Sequence, residues 1–260
     1  MNAIELSHVT KHFPGFTLQD LSLTVPSGTI CGLVGENGAG KSTMLNAVAG
    51  TFSVDSGAIV IDGVDVTRLP EHKRAKFIGR VFQDPMMGTA ADMWIEENMA
   101  LAARRGERRG LSWAISPADR ENFRRLLSEL DLGLEDRLSS KVGLLSGGQR
   151  QALTLLMAVM KKPKVLLLDE HTAALDPKTA AKVLELSDRF VAEGNLTTLM
   201  VTHNMKDAIA HGNRLIMMNA GKIVFDVSGE EKKRLTVDDL LHAFTLSTAE
   251  EFANDRILLS

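Results

Sequence analysis

The sequence of 260 residues contains one cysteine, no tyrosine and only a small excess of negative charge. The single cysteine, Cys31, cannot form a disulfide within the chain, and its apolar neighbours predict a buried small hydrophobic residue. The net charge of -3 gives no general attraction to nucleic acid, so we expect no nucleic-acid partner. No apolar run approaches the roughly 20 residues of a membrane helix, so a function at a membrane would require another chain that crosses it. The lack of paired cysteines and of a signal peptide predicts a reducing, cytoplasmic location.

A glycine-rich segment follows the apolar run Ile30–Val34 and precedes a helical pattern. Its sequence, GENGAGKS from Gly35 to Ser42, has the spacing of a phosphate-binding loop, and strand, loop and helix in this order are the context that such a loop requires. Glycine lets the backbone approach the phosphates, and the amides at the helix N-terminus point at the anion. Lys41 is expected to contact the β- and γ-phosphates, and the Ser42 hydroxyl to hold Mg²⁺. The residues expected to bind the nucleotide here are Gly35, Asn37, Gly38, Ala39, Gly40, Lys41, Ser42 and Thr43.

Short alternating apolar patterns on both sides of this loop predict antiparallel strands. Residues 1–26 contain two such runs separated by Pro14-Gly15, and residues 58–66 contain two more around Asp62-Gly63, a dipeptide typical of hairpin turns. Phe13 lies just before the first of these turns. Its ring would either stack on the adenine base of a nucleotide or pack in the core.

Two adjacent carboxylates follow a continuous apolar run. Residues 164–168 have the pattern of a strand buried on both faces, and active sites of open α/β sheets lie at the C-terminal ends of such strands. Asp169 is expected to hold Mg²⁺ through water or Ser42, and Glu170 to orient and deprotonate the water that attacks the γ-phosphate. The alternative is an ordinary helix cap. His203 follows another apolar run and is expected to sense the γ-phosphate, with a purely structural histidine as the alternative.

The sequence becomes helical and polar between residues 84 and 142, which predicts a helical subdomain inserted into the α/β core. The basic run Arg104–Arg109 would be either a solvated loop or a contact to anionic lipid headgroups. Four large apolar residues near the start of this region would either line a groove for a short helix of a partner or form the core of the subdomain. They are Met86, Met87, Met93 and Trp94.

A second helix start with small residues follows, at Leu145-Ser146-Gly147-Gly148-Gln149. Ser146 has the chemistry of an N-cap, and the two glycines leave the helix N-terminus bare of side chains. The sequence therefore predicts a second anion-binding helix end in the same chain. A further helix is predicted to begin at the cap Asp176-Pro177 and to end near Gly194.

In their order along the chain, these segments resemble the ATP-binding cassette of ABC transporters over essentially the full length. The resemblance rests on the phosphate loop, Gln83, the Leu145–Gln149 signature, the Asp169-Glu170 pair, Ala174-Leu175-Asp176 and His203. A finer resemblance is to the ATPase subunits of bacterial importers that are grouped with tryptophan- and tyrosine-type binding proteins. It rests on residues 144–157, 170–177 and 200–205.

The resemblance implies an α/β P-loop NTPase fold, with a RecA-like core of mainly parallel strands, an N-terminal antiparallel β subdomain and an inserted helical subdomain. It implies one ABC ATPase domain over residues 1–260, in which 1–83 and 161–260 form the nucleotide-binding core and 84–160 the helical subdomain with the signature. It implies ATP and Mg²⁺ as cofactors. Gln83 would then contact both Mg²⁺ and the attacking water.

The resemblance also implies that the nucleotide lies between two copies of the chain arranged head to tail. Ser146, Gly147, Gly148 and Gln149 of one copy would complete the site on the other, and Asp176 would lie across the interface. Closure on ATP and opening after hydrolysis would drive import of a solute, such as an amino acid, through separate permease subunits. An extracytoplasmic substrate-binding protein would be an indirect partner, and the location would be the cytoplasmic face of the cell membrane.

Three positions depart from the pattern of the family. His171 stands where a proline commonly follows the catalytic glutamate, which should loosen that loop, and Ala152 stands where an arginine is usual, which puts a helix-surface ion pair in doubt. Phe13 stands where a tyrosine is more usual.

Two other functions are open alternatives. A soluble ABC-type ATPase acting on ribosomes or DNA would usually have a second phosphate loop or sustained heptads, and the sequence has neither. A non-hydrolysing nucleotide switch is disfavoured because Asp169, Glu170 and His203 are all present.

Overall fold

The structure is a computed structural model, and it describes residues 1–107 and 115–245. The strands of this part of the chain are β1 Asn2–Phe13, β2 Phe16–Pro26, β3 Ile30–Val34, β4 Ser56–Ile61, β5 Val64–Asp65, β6 Ile78–Val81, β7 Val165–Asp169, β8 Thr197–Val201, β9 Arg214–Asn219 and β10 Lys222–Ser228. The helices are α1 Lys41–Ala49, α2 Glu71–Arg74, α3 Ile95–Ala103, α4 Pro117–Ser128, α5 Gly147–Val159, α6 Pro177–Gly194, α7 Met205–Ala210 and α8 Gly229–Arg234. Residues 237–245 are also helical.

The chain divides into two compact units. The first consists of Met1–Pro70 and the described residues from Thr197 onward, and the second of Glu71–Leu196. The sequence predicted a helical subdomain over residues 84–160, inside this second unit. Because the two compact units do not test those boundaries, the subdomain stays a prediction.

An antiparallel sheet in the first unit has the strand order β2-β1-β4-β5. The hairpin of β1 and β2 turns at Pro14-Gly15, and β4 and β5 pair on either side of Asp62-Gly63, as the alternating patterns predict. Two residues with positive φ, His8 (φ 52°) and Asp20 (φ 49°), lie at irregularities of the β1–β2 pairing. These bulges allow β1 to continue as one strand past the irregular pairing.

The other strands of the first unit surround β3, which is parallel to both β8 and β9. β10 closes this set as an antiparallel partner of β9. Every residue of β8 is buried, and so is every residue of β3 after Ile30, which explains why both strands are continuous apolar runs. Parallel pairing brings the C-terminal ends of β3 and β8 to the same edge, and there Thr202 N donates to Leu33 O over 3.2 Å.

The second unit pairs β6 with β7 in parallel and packs helices α3, α4, α5 and α6 around buried apolar side chains. Helix α4 begins at a capping box in which the Ser116 hydroxyl accepts from Asp119 N at 3.1 Å. Ala152 is fully buried in α5. Position 152 is therefore part of the packed interior of this unit and not of the helix surface.

The large apolar residues near residue 90 lie mainly at the surface. Met87 is 70% exposed, and Met86 and Trp94 are 45% and 43% exposed, whereas Met93 is half-buried. The interpretation as a subdomain core is therefore wrong for Met86, Met87 and Trp94.

The basic run at 104–109 is only partly described, because Arg108 and Arg109 lie outside the described residues. Arg104 is exposed, but Arg105 is half-buried and donates from its guanidinium to Ala158 O over 2.9 Å. Burial lowers the pKa of Arg105. The interpretation of the run as a solvated loop is therefore wrong for Arg105, which fastens the end of α3 to α5.

Candidate nucleotide site

The glycines of the phosphate loop are required by the backbone around them. Gly35 has φ 148° and Gly40 has φ 101°, both in the region that favours glycine. A Cβ on Gly35 would lie 2.3 Å from Met218 O, and a Cβ on Gly40 would lie 2.8 Å from Phe16 Cζ. The loop is therefore packed against β9 and β2 so closely that side chains are excluded at these two positions.

Lys41 is held inside the curve of this loop. The residue is only 5% exposed. Its Nζ donates to Gly35 O and to Glu36 O, each over 2.8 Å. The first helical hydrogen bond of α1 runs from Met44 N to Gly40 O. The amides that precede Met44 lie outside the intrahelical ladder, as they do at the N-terminus of every helix. A buried ammonium and a helix N-terminus thus converge on one loop, which is a site for a polyphosphate anion.

The turn between β9 and β10 supports the loop from a distant part of the sequence. Gly221 N donates to Ala39 O over 3.0 Å, and Gly221 O accepts from Gln19 N over 3.1 Å. Gly221 has φ 80°, and a Cβ there would lie 1.9 Å from Thr17 O. The sequence indicates a hairpin turn at this point, but nothing local in it indicates the contact with the phosphate loop, so the role of Gly221 was missed.

Phe13 lies beside the phosphate loop and is 36% exposed. Its ring centroid is 6.4 Å from that of Phe16, the residue that contacts Gly40, and 5.2 Å from that of Phe52 at an interplanar angle of 87°. The ring therefore belongs to an aromatic cluster that remains open to solvent, and a purely internal core position is excluded.

His203 is exposed and lies two residues after β8. Because β3 and β8 are parallel neighbours, His203 leaves the sheet at the same edge as the phosphate loop. Helix α7 begins directly after it, where the Asn204 carboxamide oxygen accepts from Lys206 N at 3.0 Å. The first unit thus brings together the loop, Phe13 and His203, all of which the sequence predicted as site residues.

In the second unit, the acidic pair lies at the end of β7 as predicted. Asp169 is the last residue of the strand, and Glu170 follows with φ 46°, a left-handed conformation that is uncommon for glutamate. Arg80 of β6 lies 4.0 Å from Asp169 Oδ2 and 3.8 Å from Glu71 Oε1. Burial lowers the pKa of Arg80, and the two neighbouring carboxylates oppose that shift. No sequence pattern singled out Arg80, which lies on the strand next to β7.

His171 does not loosen the loop after Glu170. The residue is 3% exposed, and its Nε2 lies 3.0 Å from the hydroxyl of Ser187 on α6. That hydroxyl donates to Val183 O over 2.8 Å, so it accepts from the imidazole. The expectation of a looser loop is wrong, because the imidazole fastens the loop to α6.

The signature segment forms the N-terminus of α5. The Ser146 hydroxyl accepts from Gln149 N at 3.3 Å, and the Gln149 carboxamide accepts from Ser146 N at 3.2 Å, which is a reciprocal capping box. A Cβ on Gly148 would lie 2.0 Å from Thr179 Cγ2, so the packing against Thr179 requires glycine there. A Cβ on Gly147 would make only ordinary contacts.

Asp176 caps α6 next to this segment. Its carboxylate accepts from Thr179 N at 3.1 Å, and hydrogen bonds from Thr179 hold the pKa of Asp176 below its ordinary value. Thr179 therefore links Asp176 to Gly148, and the second unit brings the signature and Asp176 together. Gln83 is exposed after β6, and the buried Gln151 of α5 donates to Phe82 O over 3.2 Å beside it.

The residues expected to hold Mg²⁺ are a hydroxyl, a carboxamide and a carboxylate, on Ser42, Gln83 and Asp169. Oxygen donors of this kind suit Mg²⁺, which takes one or two protein ligands and completes its shell with substrate phosphates and water. Over residues 1–107 and 115–245, no group of three or more His, Cys, Asp or Glu side chains is arranged to hold a metal alone. The oxygen donors of these three residues fit a metal that binds together with a nucleotide.

The chain is similar to known proteins in both sequence and fold. The ABC transporter family model matches residues 18–173. The tyrosine transport ATP-binding protein of Clostridioides difficile is 44% identical over 93% of this chain and 98% of its own length. The spermidine/putrescine import ATP-binding protein PotA of Haemophilus ducreyi is 35% identical over 88% of this chain, which spans only 58% of that relative. The dimeric post-hydrolysis structure of the ATP-binding cassette MJ0796, bound to ADP and Pi, matches with a TM-score of 0.74 at 27% identity and covers 86% of this chain and 98% of its own.

The chain belongs to the ABC transporter family. It has the fold of the ATP-binding cassette, with an antiparallel β subdomain beside mainly parallel strands and helices, as the sequence predicted. It is accordingly an ATPase whose hydrolysis of ATP is coupled to transport. No helix in the described ranges has the length and apolar character needed to span a bilayer.

Proposed function

We propose that this chain is the ATP-hydrolysing subunit of an importer for an aromatic amino acid, such as tyrosine. The main support is the 44% identity to the tyrosine transport ATP-binding protein, which extends over nearly the full length of both chains. The spermidine/putrescine relative is named as an import protein, which favours import as the direction. Separate permease subunits, with an extracytoplasmic binding protein that delivers the solute, would then be its partners at the cytoplasmic face of the membrane.

The observation that carries the ATPase activity is the buried Lys41 ammonium inside a glycine loop that precedes a helix. In the proposed mechanism, Lys41 and the amides of Gly38, Gly40 and Thr43 hold the phosphates of ATP, and Phe13 stacks on its base. Asn37 and Ala39 complete the loop. The loop would hold the triphosphate in one orientation before any reaction, which removes much of the entropic part of the barrier.

Proton transfer is assigned to residues at the ends of the parallel strands. Glu170 would accept a proton from the attacking water, and Gln83 would orient that water through its carboxamide. His203 would donate to a γ-phosphate oxygen and so report whether that phosphate is present. Ser42 and Asp169 would hold Mg²⁺, which when bound supplies positive charge to the β- and γ-phosphate oxygens.

We further propose that a second copy of the chain completes the site. Ser146, Gly147, Gly148 and Gln149 form a helix N-terminus that would meet the γ-phosphate held by the other copy, with Asp176 across the interface. The dimeric state of the MJ0796 cassette bound to ADP and Pi supports this arrangement. Nucleotide that binds more tightly to the closed pair than to the open one would shift the population toward closure.

The importer assignment is tested by uptake in cells of the source organism that lack this chain. We expect uptake of labelled tyrosine to fall to background, to recover with the wild-type gene and to stay absent with Lys41→Ala. Uptake of spermidine should not change, which provides the control. Normal tyrosine uptake without the chain would contradict the proposed solute. ATP binding by purified Lys41→Ala is the separate test of the loop, and retained affinity would contradict its role.

A further inference from the structure

Three phenylalanine rings meet beside the phosphate loop, and one of them, Phe52, is not among the site residues described above. Phe13 and Phe16 flank the first hairpin turn, whereas Phe52 lies in the loop after α1. The rings of Phe13 and Phe52 are 5.2 Å apart and nearly perpendicular, which is a favoured edge-to-face geometry. Whichever of the two rings presents its edge, Phe52 can cover at most one face of Phe13. At least one face of Phe13 is therefore left uncovered by Phe52.

The segment that carries Phe52 is fastened to β1 by one carboxylate. Asp55 accepts from Lys11 Nζ at 2.7 Å, from His12 N at 2.8 Å and from His12 Nδ1 at 3.0 Å. Asp55 N also donates to Thr10 O over 2.9 Å. Three consecutive residues that precede Phe13 therefore bind Asp55, and the loop that carries Phe52 cannot shift along β1 without breaking these bonds.

The same carboxylate places a cation beside the ring. Lys11 Nζ, which bonds to Asp55, lies 5.9 Å from the centroid of Phe13. A cation at this distance from an aromatic ring is attracted to its face. Phe13 is thus held by Phe52 and by Lys11, and Asp55 determines where both of these groups stand.

We propose that Phe52 and Asp55 are positioning residues for nucleotide binding, which fix the ring of Phe13 in the orientation that stacks on the base. The inference rests on the proposed role of Phe13 as the base platform. Position 13 is a phenylalanine, and the chain has no tyrosine. The ring therefore has no hydroxyl group through which a hydrogen bond could fix its orientation. An untethered Phe13 at a solvent-open hairpin end would rotate among rotamers, and base binding would then have to oppose that freedom.

The test compares two ligands that share a diphosphate and differ only in the adenosine. Affinities of Mg·ADP and of Mg·pyrophosphate are measured for the full chain, the second by displacement of ADP. We expect Phe13→Leu to weaken ADP about tenfold or more, as loss of a base-stacking ring does. Phe52→Leu and Asp55→Asn should each weaken ADP roughly three- to tenfold, in line with the loss of an aromatic pair. Pyrophosphate affinity should stay within about twofold in all three, since the phosphate loop is unaltered.

A double-mutant cycle separates positioning from a direct contact. If Phe52 acts through Phe13, then Phe13→Leu combined with Phe52→Leu should bind ADP no more weakly than Phe13→Leu alone. Phe52→Tyr keeps the ring and should restore the wild-type affinity. Additive losses in the double variant, or an unchanged ADP affinity in Phe52→Leu, would overturn the proposal.

A general structural role has a different signature. If Phe52 and Asp55 merely support α1 and its loop, pyrophosphate affinity should fall in parallel with ADP affinity, and the positioning role would be rejected. Should Phe52→Leu not fold, Asp55→Asn makes the same test because it leaves every apolar contact in place. No effect of Phe13→Leu on ADP would remove the base platform and with it this inference. The phosphate-loop role of Lys41 would be untouched, because its own binding test is independent.

Discussion

At the scale of single residues, burial determines the chemistry of the one thiol. Cys31 is completely buried in β3, and desolvation raises its pKa from 9.0 to about 12. The thiolate is the reactive form, so at pH 8 its population in the folded chain is roughly a thousandth of that in the unfolded chain. We predict that Ellman's reagent leaves the native protein unlabelled and labels one thiol per chain after unfolding in guanidinium. Complete labelling of the native protein at pH 8 would contradict the burial.

Asp55 provides a pH dependence whose sign follows from its contacts. Hydrogen bonds from Lys11 and His12 hold the pKa of Asp55 well below its ordinary value of 3.8. A carboxylate with a lowered folded-state pKa stabilises the fold above its unfolded pKa, and the contribution is lost as pH falls through the folded-state value. Wild type should therefore resist urea better than Asp55→Asn at pH 7 and pH 5, and this advantage should shrink below about pH 4. A difference that persists unchanged at pH 2.5 would contradict the assignment.

Residue roles that depend on near neighbours in the chain could be predicted, and those that depend on distant ones could not. The caps Ser146 and Asp176 bond to residues three positions later, so their patterns are visible in the sequence. Phe52 contacts Phe13, and Gly221 donates to Ala39 O, only because the fold brings these distant residues together. In the sequence, Phe52 and Gly221 have the pattern of ordinary loop residues. The expectation for His171 was wrong because its partner, Ser187, lies on the next helix.

At the scale of elements, periodicity predicted most strands and helices to within a few residues. The run before Asp169 is the strand β7, and the helix after Asp176 ends at Gly194 as expected. These predictions succeeded because both elements bury a regular apolar pattern and each has a clear boundary signal. Strand β7 ends at the acidic pair, and helix α6 begins at the cap Asp176. The two runs on either side of Pro14-Gly15 correspond to β1 and β2, but the bulge at His8 within β1 was not predicted.

The turn between β9 and β10 gives a prediction at this scale. Gly221→Ala would place a methyl group 1.9 Å from Thr17 O, so the turn must move away from β2 and from the phosphate loop. Gly63→Ala is the matched control, because Gly63 has φ 76° and a methyl group there would meet no atom of the described residues within 4 Å. We expect about 1 kcal/mol of destabilisation in the control, from the left-handed backbone alone, and roughly 3 kcal/mol or more in Gly221→Ala.

Urea unfolding measures both variants of this pair, and ADP binding gives the functional readout. Gly221→Ala should also weaken ADP, because Gly221 N holds Ala39 O of the phosphate loop. Gly63→Ala should leave ADP affinity unchanged. Equal losses of stability in the two variants would show that the close contact with Thr17 is not restrictive.

At the scale of the whole molecule, the order of the motifs was more informative than any motif alone. A glycine loop, a Ser-Gly-Gly helix start and an acidic strand end each occur in many folds, but their succession indicated one family, which the match over residues 18–173 confirms. The fold class and the ATPase activity followed from that succession. Surface features could not be predicted in the same way, since exposure of Met86, Met87 and Trp94 depends on which helices pack over them.

The assembly of two copies is testable through the residue assigned to proton transfer. Glu170→Gln keeps the size of the side chain and one acceptor oxygen, but it replaces the carboxylate with an amide that cannot accept a proton from water. We expect ATP binding to be retained, hydrolysis to slow on the order of a hundredfold or more, and a dimer to accumulate when ATP is added. Glu185→Gln, at an exposed position of α6, is the matched control and should behave as wild type.

Light scattering on the size-exclusion eluate, with and without ATP, measures this dimer directly. If ATP holds two copies together until it is cleaved, a variant that binds but does not cleave it must populate the dimer, because the bound state is no longer drained by hydrolysis. Adding Ser146→Ala to Glu170→Gln should reduce the dimer, since it removes the helix-cap hydroxyl that is assigned to the nucleotide of the other copy. A Glu170→Gln protein that stays monomeric at saturating ATP would remove the shared site. One that hydrolyses ATP at the wild-type rate would remove the catalytic role of Glu170.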